Sequence, residues 1–254
     1  VGGNYKKTST NNITREKMKK KLLLISVVIN IVFLLFGGYV IHKKGGIDYV
    51  KRKLNLSDNQ TEENWSNYYK AKKTIFEIMP NDTNEIIFLG NSITDYCDWY
   101  ELFGKSNIKN RGIGGDVING VINRLDEVTS SKPQKIFLMI GINDLGRKRS
   151  VNQILIDYEK LINEIIEKAP ETELYIQSVL PTDNRERLQN TDVIKINNGL
   201  IELAKKYDLT YINLFDLFKT TENKLNPEMT FDGLHVNGQG YLIWKNAIIE
   251  YVDK

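Results

Sequence analysis

The sequence predicts a layered α/β domain, with a parallel sheet covered by helices on both faces. Three observations lead there. Short continuous apolar runs, such as Ile86-Ile87-Phe88-Leu89 and Ile136-Phe137-Leu138-Met139-Ile140, stop abruptly at glycine turns. Amphipathic stretches with helical spacing separate the runs, and small polar residues collect just after them. Strands buried on both faces read as unbroken apolar runs, and strand–helix alternation implies βαβ units with right-handed crossovers.

In chain order, residues 1–21 form a polar, basic tail without periodic apolar pattern, expected to be disordered, with Met18 as an expected natural start. From Leu22 to Ile41 no residue is charged. About twenty residues of helix reach roughly 30 Å, the hydrocarbon thickness of a bilayer. Lys19, Lys20 and Lys21 precede the run, Tyr39 lies at its far end, and no small-residue cleavage site follows. Residues 22–41 are therefore expected to be an uncleaved transmembrane signal anchor in a bacterial cell membrane, with the main domain outside. Residues 42–80 read as a basic linker and an amphipathic helix that ends at Pro80, and the main domain is expected over 81–254.

Inside that domain the strand at 86–89 is followed by a short extended piece over 107–111. Val117, Val121, Leu125 and Val128 give a helix over 117–128. A second apolar strand covers 135–140, and a long amphipathic helix over 151–168 stops before Pro170. A strand over 173–180 closes at Pro181, a helix covers 192–207, a strand 210–214, and a last helix 238–252. Nothing in these patterns sets the order of the strands in the sheet.

Composition removes several classes of function. The chain has 254 residues, enough for one sizeable α/β domain and an appendage. A formal net charge of +3 gives no case for nucleic acid as partner. The single cysteine, Cys97, excludes an internal disulfide and a cysteine-based zinc cluster. Gly112 and Gly114 begin a dinucleotide-like pattern, but Val117 stands where its third glycine belongs, and no phosphate-binding Gly-Lys-Ser/Thr occurs. No cofactor, metal or obligate protein partner is expected. The histidines are His42 and His235, and His42 lies beside the apolar N-terminal run, so an imidazole base has to be His235.

The turns after successive strands carry Gly90-Asn91-Ser92, Gly112-Ile113-Gly114-Gly115-Asp116 and Gly141-Ile142-Asn143-Asp144; Asp232-Gly233-Leu234-His235 follows near the C-terminus. In a parallel sheet such turns lie along one edge, where ligands bind. Each has an ordinary reading: Ser92 as a helix N-cap, Asn143-Asp144 as a turn and cap, His235 as a satisfied surface or core histidine. Together they supply what acyl transfer needs: Ser92 as nucleophile, His235 as base, Asp232 to orient it, and Gly115 with Asn143 for the oxyanion. The three-residue spacing of Asp232 and His235 suits one side of a helical turn. Cys97, five residues beyond Ser92, reads as a small buried residue rather than a nucleophile. Tyr96, Trp99 and Tyr100 are expected either near the entrance or over the sheet edge.

This set resembles the SGNH/GDSL hydrolases, over about residues 85–254. The matching blocks are Gly90-Asn91-Ser92-Ile93-Thr94, Gly115-Asp116, Gly141-Ile142-Asn143-Asp144 and Asp232-Gly233-Leu234-His235. The wording of Asn110-Arg111-Gly112-Ile113-Gly114-Gly115-Asp116 and Phe231-Asp232-Gly233-Leu234-His235 is similar to the platelet-activating-factor acetylhydrolase-like and carbohydrate O-acetylesterase-like subgroup. The resemblance implies a flavodoxin-like three-layer α/β/α sandwich and an acyl-serine esterase. Its oxyanion would be held by the N–H groups of Ser92 and Gly115 and by the Asn143 amide. Its substrates would be short acyl esters, O-acetyl first, on small molecules or glycans. Asn91 departs from the family's usual Asp, and Val236 from a frequent Pro. A lysophospholipase-like lipid esterase, an O-acyltransferase and a non-catalytic binding module remain alternatives.

Overall fold

The computed structural model describes residues 18–33, 36, 39, 43, 65–82 and 84–254. The polar tail before residue 18 and most of the basic linker lie outside these. Residues 18–33 are helical. No helix among the described residues is long and apolar enough to cross a membrane, so the expected span over 22–41 is not met there. Its charge-free run continues through positions 34–35, 37–38 and 40–41, which lie outside the described residues, while the continuous helix at 18–33 includes the three lysines.

Five strands form one parallel sheet in the order β2-β1-β3-β4-β5. They are β1 (Ile86–Gly90), β2 (Ile108–Gly112), β3 (Lys135–Met139), β4 (Glu173–Gln177) and β5 (Thr210–Ile212). β1 and β3 are buried at every position, as their uninterrupted apolar runs require. Phe88, Phe137 and Tyr175 stand in register on β1, β3 and β4 and stack at centroid distances of 5.1 and 4.6 Å. Trp99 lies on Phe88 at 4.1 Å, and Trp244 meets Trp99 edge-on at 5.0 Å. That face is thus covered by the helices Trp99–Phe103 and Gly238–Asp253. Ile87, Leu89, Ile136 and Leu138 alternate to the other face, where Val151–Lys168 presents buried Ile154, Tyr158, Leu161, Ile162 and Ile165. Three layers follow directly.

Two expectations change. The single helix over 117–128 is broken into Ile118–Asn123 and Leu125–Thr129 at Arg124, whose φ of −120° leaves the helical range. The reason is long-range: the fully buried Arg124 guanidinium donates to Gly90 O at 3.3 Å and to Arg111 O at 2.9 Å, and pairs with Asp116 and Glu127. The amphipathic helix before the domain runs over Asn67–Ile78, capped by Ser66, and buries Tyr69 and Phe76 with Trp65 against Ile113 and Val117. That helix accordingly packs as part of the compact unit that carries the sheet, because it has its own apolar patch to cover.

Candidate active site

The strand order reverses direction between β1 and β3, so the crevice beyond their carboxyl ends is the place where such a sheet accepts a ligand. Register makes the three turns start level: Gly90 pairs with Gly112 on one side and Met139 on the other. Ser92, the Gly114-Gly115 turn and Asn143 all leave from that line.

Ser92 opens a helix of four residues, Ser92–Asp95, which is far too short to persist by its own hydrogen bonds. Neighbours hold it. Asn91, not Ser92, is the N-cap, its Oδ1 accepting from Ile93 N at 3.0 Å, so the Ser92 hydroxyl is not spent on capping. At the other end Asn110 Nδ2 donates to the carbonyls of Thr94, Asp95 and Cys97 at 2.9–3.1 Å. The Trp99 indole donates to Thr94 O, and Tyr241 OH to Ile93 O, each at 2.8 Å. Cys97 is buried on this turn, and burial pushes its thiol up to about 12, which rules against a thiolate nucleophile.

His235 arrives from 143 residues away and sets Nε2 3.0 Å from Ser92 Oγ. Its Nδ1 lies 2.8 Å from Asp232 Oδ2. The expected helical turn between Asp232 and His235 is instead a tight loop closed by an antiparallel bridge of Thr230 with Val236. Asp232 Oδ1 accepts from Leu234 N and His235 N at 2.9 and 2.8 Å, and this local turn, rather than helical pitch, brings the two side chains together. Burial alone would raise the Asp232 carboxyl; the hydrogen bonds from His235 and Leu234 outweigh it and hold the group down at about 2. The carboxylate is then acceptor-only, so Nδ1 carries the proton and Nε2 presents a lone pair to the hydroxyl.

The oxyanion candidates are held at their backs. Gly115 has φ +78°, a conformation L-residues rarely take, and its carbonyl accepts from Arg147 at 3.0 Å. Asn143 Nδ2 donates to Asp116 O at 2.9 Å, which leaves its second amide hydrogen for a ligand. Asp116 and Asp144, both in the expected blocks, are structural. Asp116 binds Arg124, and Asp144 Oδ2 accepts from Ile118 N at 3.2 Å. Burial pushes each up to about 6, against the pull of those partners.

Of the three aromatics expected near the entrance, Trp99 is fully buried core, whereas Tyr96 and Tyr100 are exposed. The Tyr96 ring lies 4.9 Å from the His235 ring and that of Phe231, 66% exposed, 5.9 Å from it. Sequence reasoning missed Arg185, whose Nη2 reaches Asp232 O at 2.7 Å and Asp232 Oδ2 at 2.9 Å. No periodicity or motif marks it. Asn110 was visible only as part of a block, without its role. Among the described residues no cluster of His, Cys, Asp and Glu is placed to hold a metal ion.

Comparison with known proteins fits this geometry. The family model for the GDSL-like Lipase/Acylhydrolase family matches residues 88–243. The chain belongs to that family. Its similarity to the rat platelet-activating factor acetylhydrolase IB subunit alpha2 is 25% identity over 164 residues, 62% of this chain and 71% of that protein. A solved Streptococcus pneumonia structure, provisionally described as a platelet activating factor, superposes with a TM-score of 0.65 at 29% identity. It covers 82% of this chain and 99% of that one. A variant of the Geobacillus acetyl-xylooligosaccharide esterase Axe2 shares the fold, with a TM-score of 0.54 at 17% identity over 67% of this chain and 94% of that one. The protein is a hydrolase of the acyl-ester class, on a five-stranded α/β sheet of the GDSL type.

Proposed function

We propose that this GDSL hydrolase cleaves short-chain acyl esters, O-acetyl esters first, through an acyl-Ser92 intermediate. The observation that carries the reading is the 3.0 Å approach of His235 Nε2 to Ser92 Oγ. His235 takes the hydroxyl proton as Oγ attacks the ester carbonyl, and the ionised Asp232 stabilises the imidazolium that forms. The tetrahedral oxyanion is held by the N–H groups of Ser92 and Gly115 and by the free amide hydrogen of Asn143. His235 returns the proton to the departing alcohol, then activates a water that releases the acid.

Two exposed rings beside the imidazole, Tyr96 and Phe231, suit an alcohol with a flat or apolar face, such as a pyranose. The second reading, a lipid-type acetyl ester, draws on the similarity to platelet-activating factor acetylhydrolase. Hydrolysis of a chromogenic acetate, followed by acetyl, butyryl and octanoyl esters and acetylated glycans, ranks these substrates. Ser92→Ala is expected to abolish turnover of all of them; full retention refutes the assignment.

The charge-free run from Leu22 to Ile41 supports a membrane tether, and Lys19, Lys20 and Lys21 before it support an orientation that leaves the hydrolase outside the cytoplasm. Carbonate-resistant pelleting of the protein with membranes tests it, and release into the supernatant contradicts it.

A further inference from the structure

We infer that Asp95 is a positioning residue for the oxyanion hole, clamped in place by the helix Asn67–Ile78. The inference rests on the proposed acyl-transfer chemistry and adds a part to it. Asp95 ends the short helix that begins at Ser92. Its carboxylate meets the turn after β2, and its side chain is only 3% exposed. Oδ2 accepts from Gly114 N at 3.0 Å, one peptide before the N–H of Gly115. The same oxygen accepts from Tyr68 OH at 2.7 Å, and Oδ1 pairs with Lys72 Nζ at 2.8 Å. The fit is close, since a side chain on Gly112 would collide with the backbone of Asp95.

The consequence is geometric. Gly114 and Gly115 have no side chains to anchor them, and Gly115 sits at positive φ. The direction of its N–H is set by the turn that Asp116 N closes on Ile113 O at 3.1 Å and by what grips the flanking peptides. Arg147 holds the Gly115 carbonyl and Asn143 that of Asp116, both from the β3 side. Asp95 supplies a further grip, from the segment after β1, and because it belongs to the nucleophile's own helix, hydroxyl and donor are set by one short segment. Tyr68 and Lys72 keep the carboxylate from swinging. Burial and the Asp95 carboxylate push the Tyr68 phenol up to about 12, so it stays a donor throughout the working pH range. The first helix of the compact unit thereby helps to position the oxyanion donor.

The test compares the parent chain with Asp95→Ala and with the double variant Tyr68→Phe/Lys72→Met, whose changes lie on the partly exposed side of the helix. Each is assayed for kcat and KM on a chromogenic acetate, for inhibition by phenylboronic acid, whose tetrahedral serine adduct occupies the oxyanion site, and for Tm. Removal of a whole oxyanion donor costs on the order of 10²–10³ in turnover, so a misaimed donor is expected to cost about tenfold in Asp95→Ala and about threefold in the helix pair. KM should hold within about twofold while boronate affinity falls by the same factor as kcat, the mark of an interaction made only in the transition state. A folded Asp95→Ala with unchanged kcat, or with kcat lost and boronate affinity intact, overturns the inference. Should Asp95→Ala fail to fold, an unchanged kcat in the folded helix pair overturns it equally. A parent chain that neither turns over acetate nor binds boronate overturns the acyl-transfer reading itself.

Discussion

The two halves of the site are built in opposite ways. On the nucleophile and oxyanion side, the turns after β1, β2 and β3 rest on charged groups sealed from water: Arg124 and Asp116 pair with side chains wholly buried, and Asp144 is buried on Ile118 N. On the base side, Asp232 and His235 sit on a surface loop, gripped by short local hydrogen bonds and by a half-exposed Arg185. Buried charge networks fix geometry strongly but fail badly when one member is lost; solvated pairs contribute little each and forgive loss. The difference assigns precision to the donors and tolerance to the base.

Breaking the buried side should therefore have the largest effect. Arg124→Met strands the wholly buried Asp116 without its ion-pair partner, while Glu127 keeps Arg111 at 3.1 Å, and is expected to cost roughly 3–5 kcal/mol in a urea-unfolding measurement. A loss under about 1 kcal/mol would erase the contrast between the halves. Asn143→Ala keeps the fold but removes a donor, so kcat should fall by about 10²–10³ while Tm stays near that of the parent.

Arg185→Ala probes the tolerant side. Its ion pair with Asp232 is half exposed, so stability should change by less than about 1 kcal/mol. Because Leu234 N, His235 N and the imidazole still hold the carboxylate, kcat/KM should fall by less than about tenfold. A loss as large as that of Asn143→Ala would show that the loop leans on Arg185 after all.

The smallest effect concerns pH. Burial raises the Asp144 carboxyl to about 6, above its value in the unfolded chain. A raised carboxyl favours folding below the unfolded pKa, and that contribution is lost as pH rises through about 6. Asp144→Asn, which can still accept from Ile118 N, should remove part of the fall in Tm between about pH 4 and 7, with the part due to Asp116 remaining. A profile identical to the parent's would assign the whole dependence to other groups, Asp116 first.

The same contrast explains what the sequence made legible. The continuous runs of β1 and β3 announced buried strands, and the turns behind them, with Ser92, Gly115 and Asn143, could be placed on one edge from topology alone. Asp232 and His235 were visible as a spaced pair, yet their conformation was not. A loop closed by the Thr230–Val236 bridge is held by side-chain-to-backbone hydrogen bonds, which leave no periodic trace. The break at Arg124 was illegible for a different reason. Its carbonyl partners, Gly90 and Arg111, lie 34 and 13 residues away, and local helix propensity cannot report them. Arg185 and Asp95 stand in ordinary polar company, and only the folded chain shows which carboxylate or amide each one meets.

Labelling with a fluorophosphonate, followed by peptide mass spectrometry, tests directly whether these separate segments activate a single hydroxyl. The predicted result is one adduct, on Ser92, that forms in the folded parent and is lost in His235→Ala. An adduct on another residue, or one on Ser92 that forms equally fast without the imidazole, would contradict it.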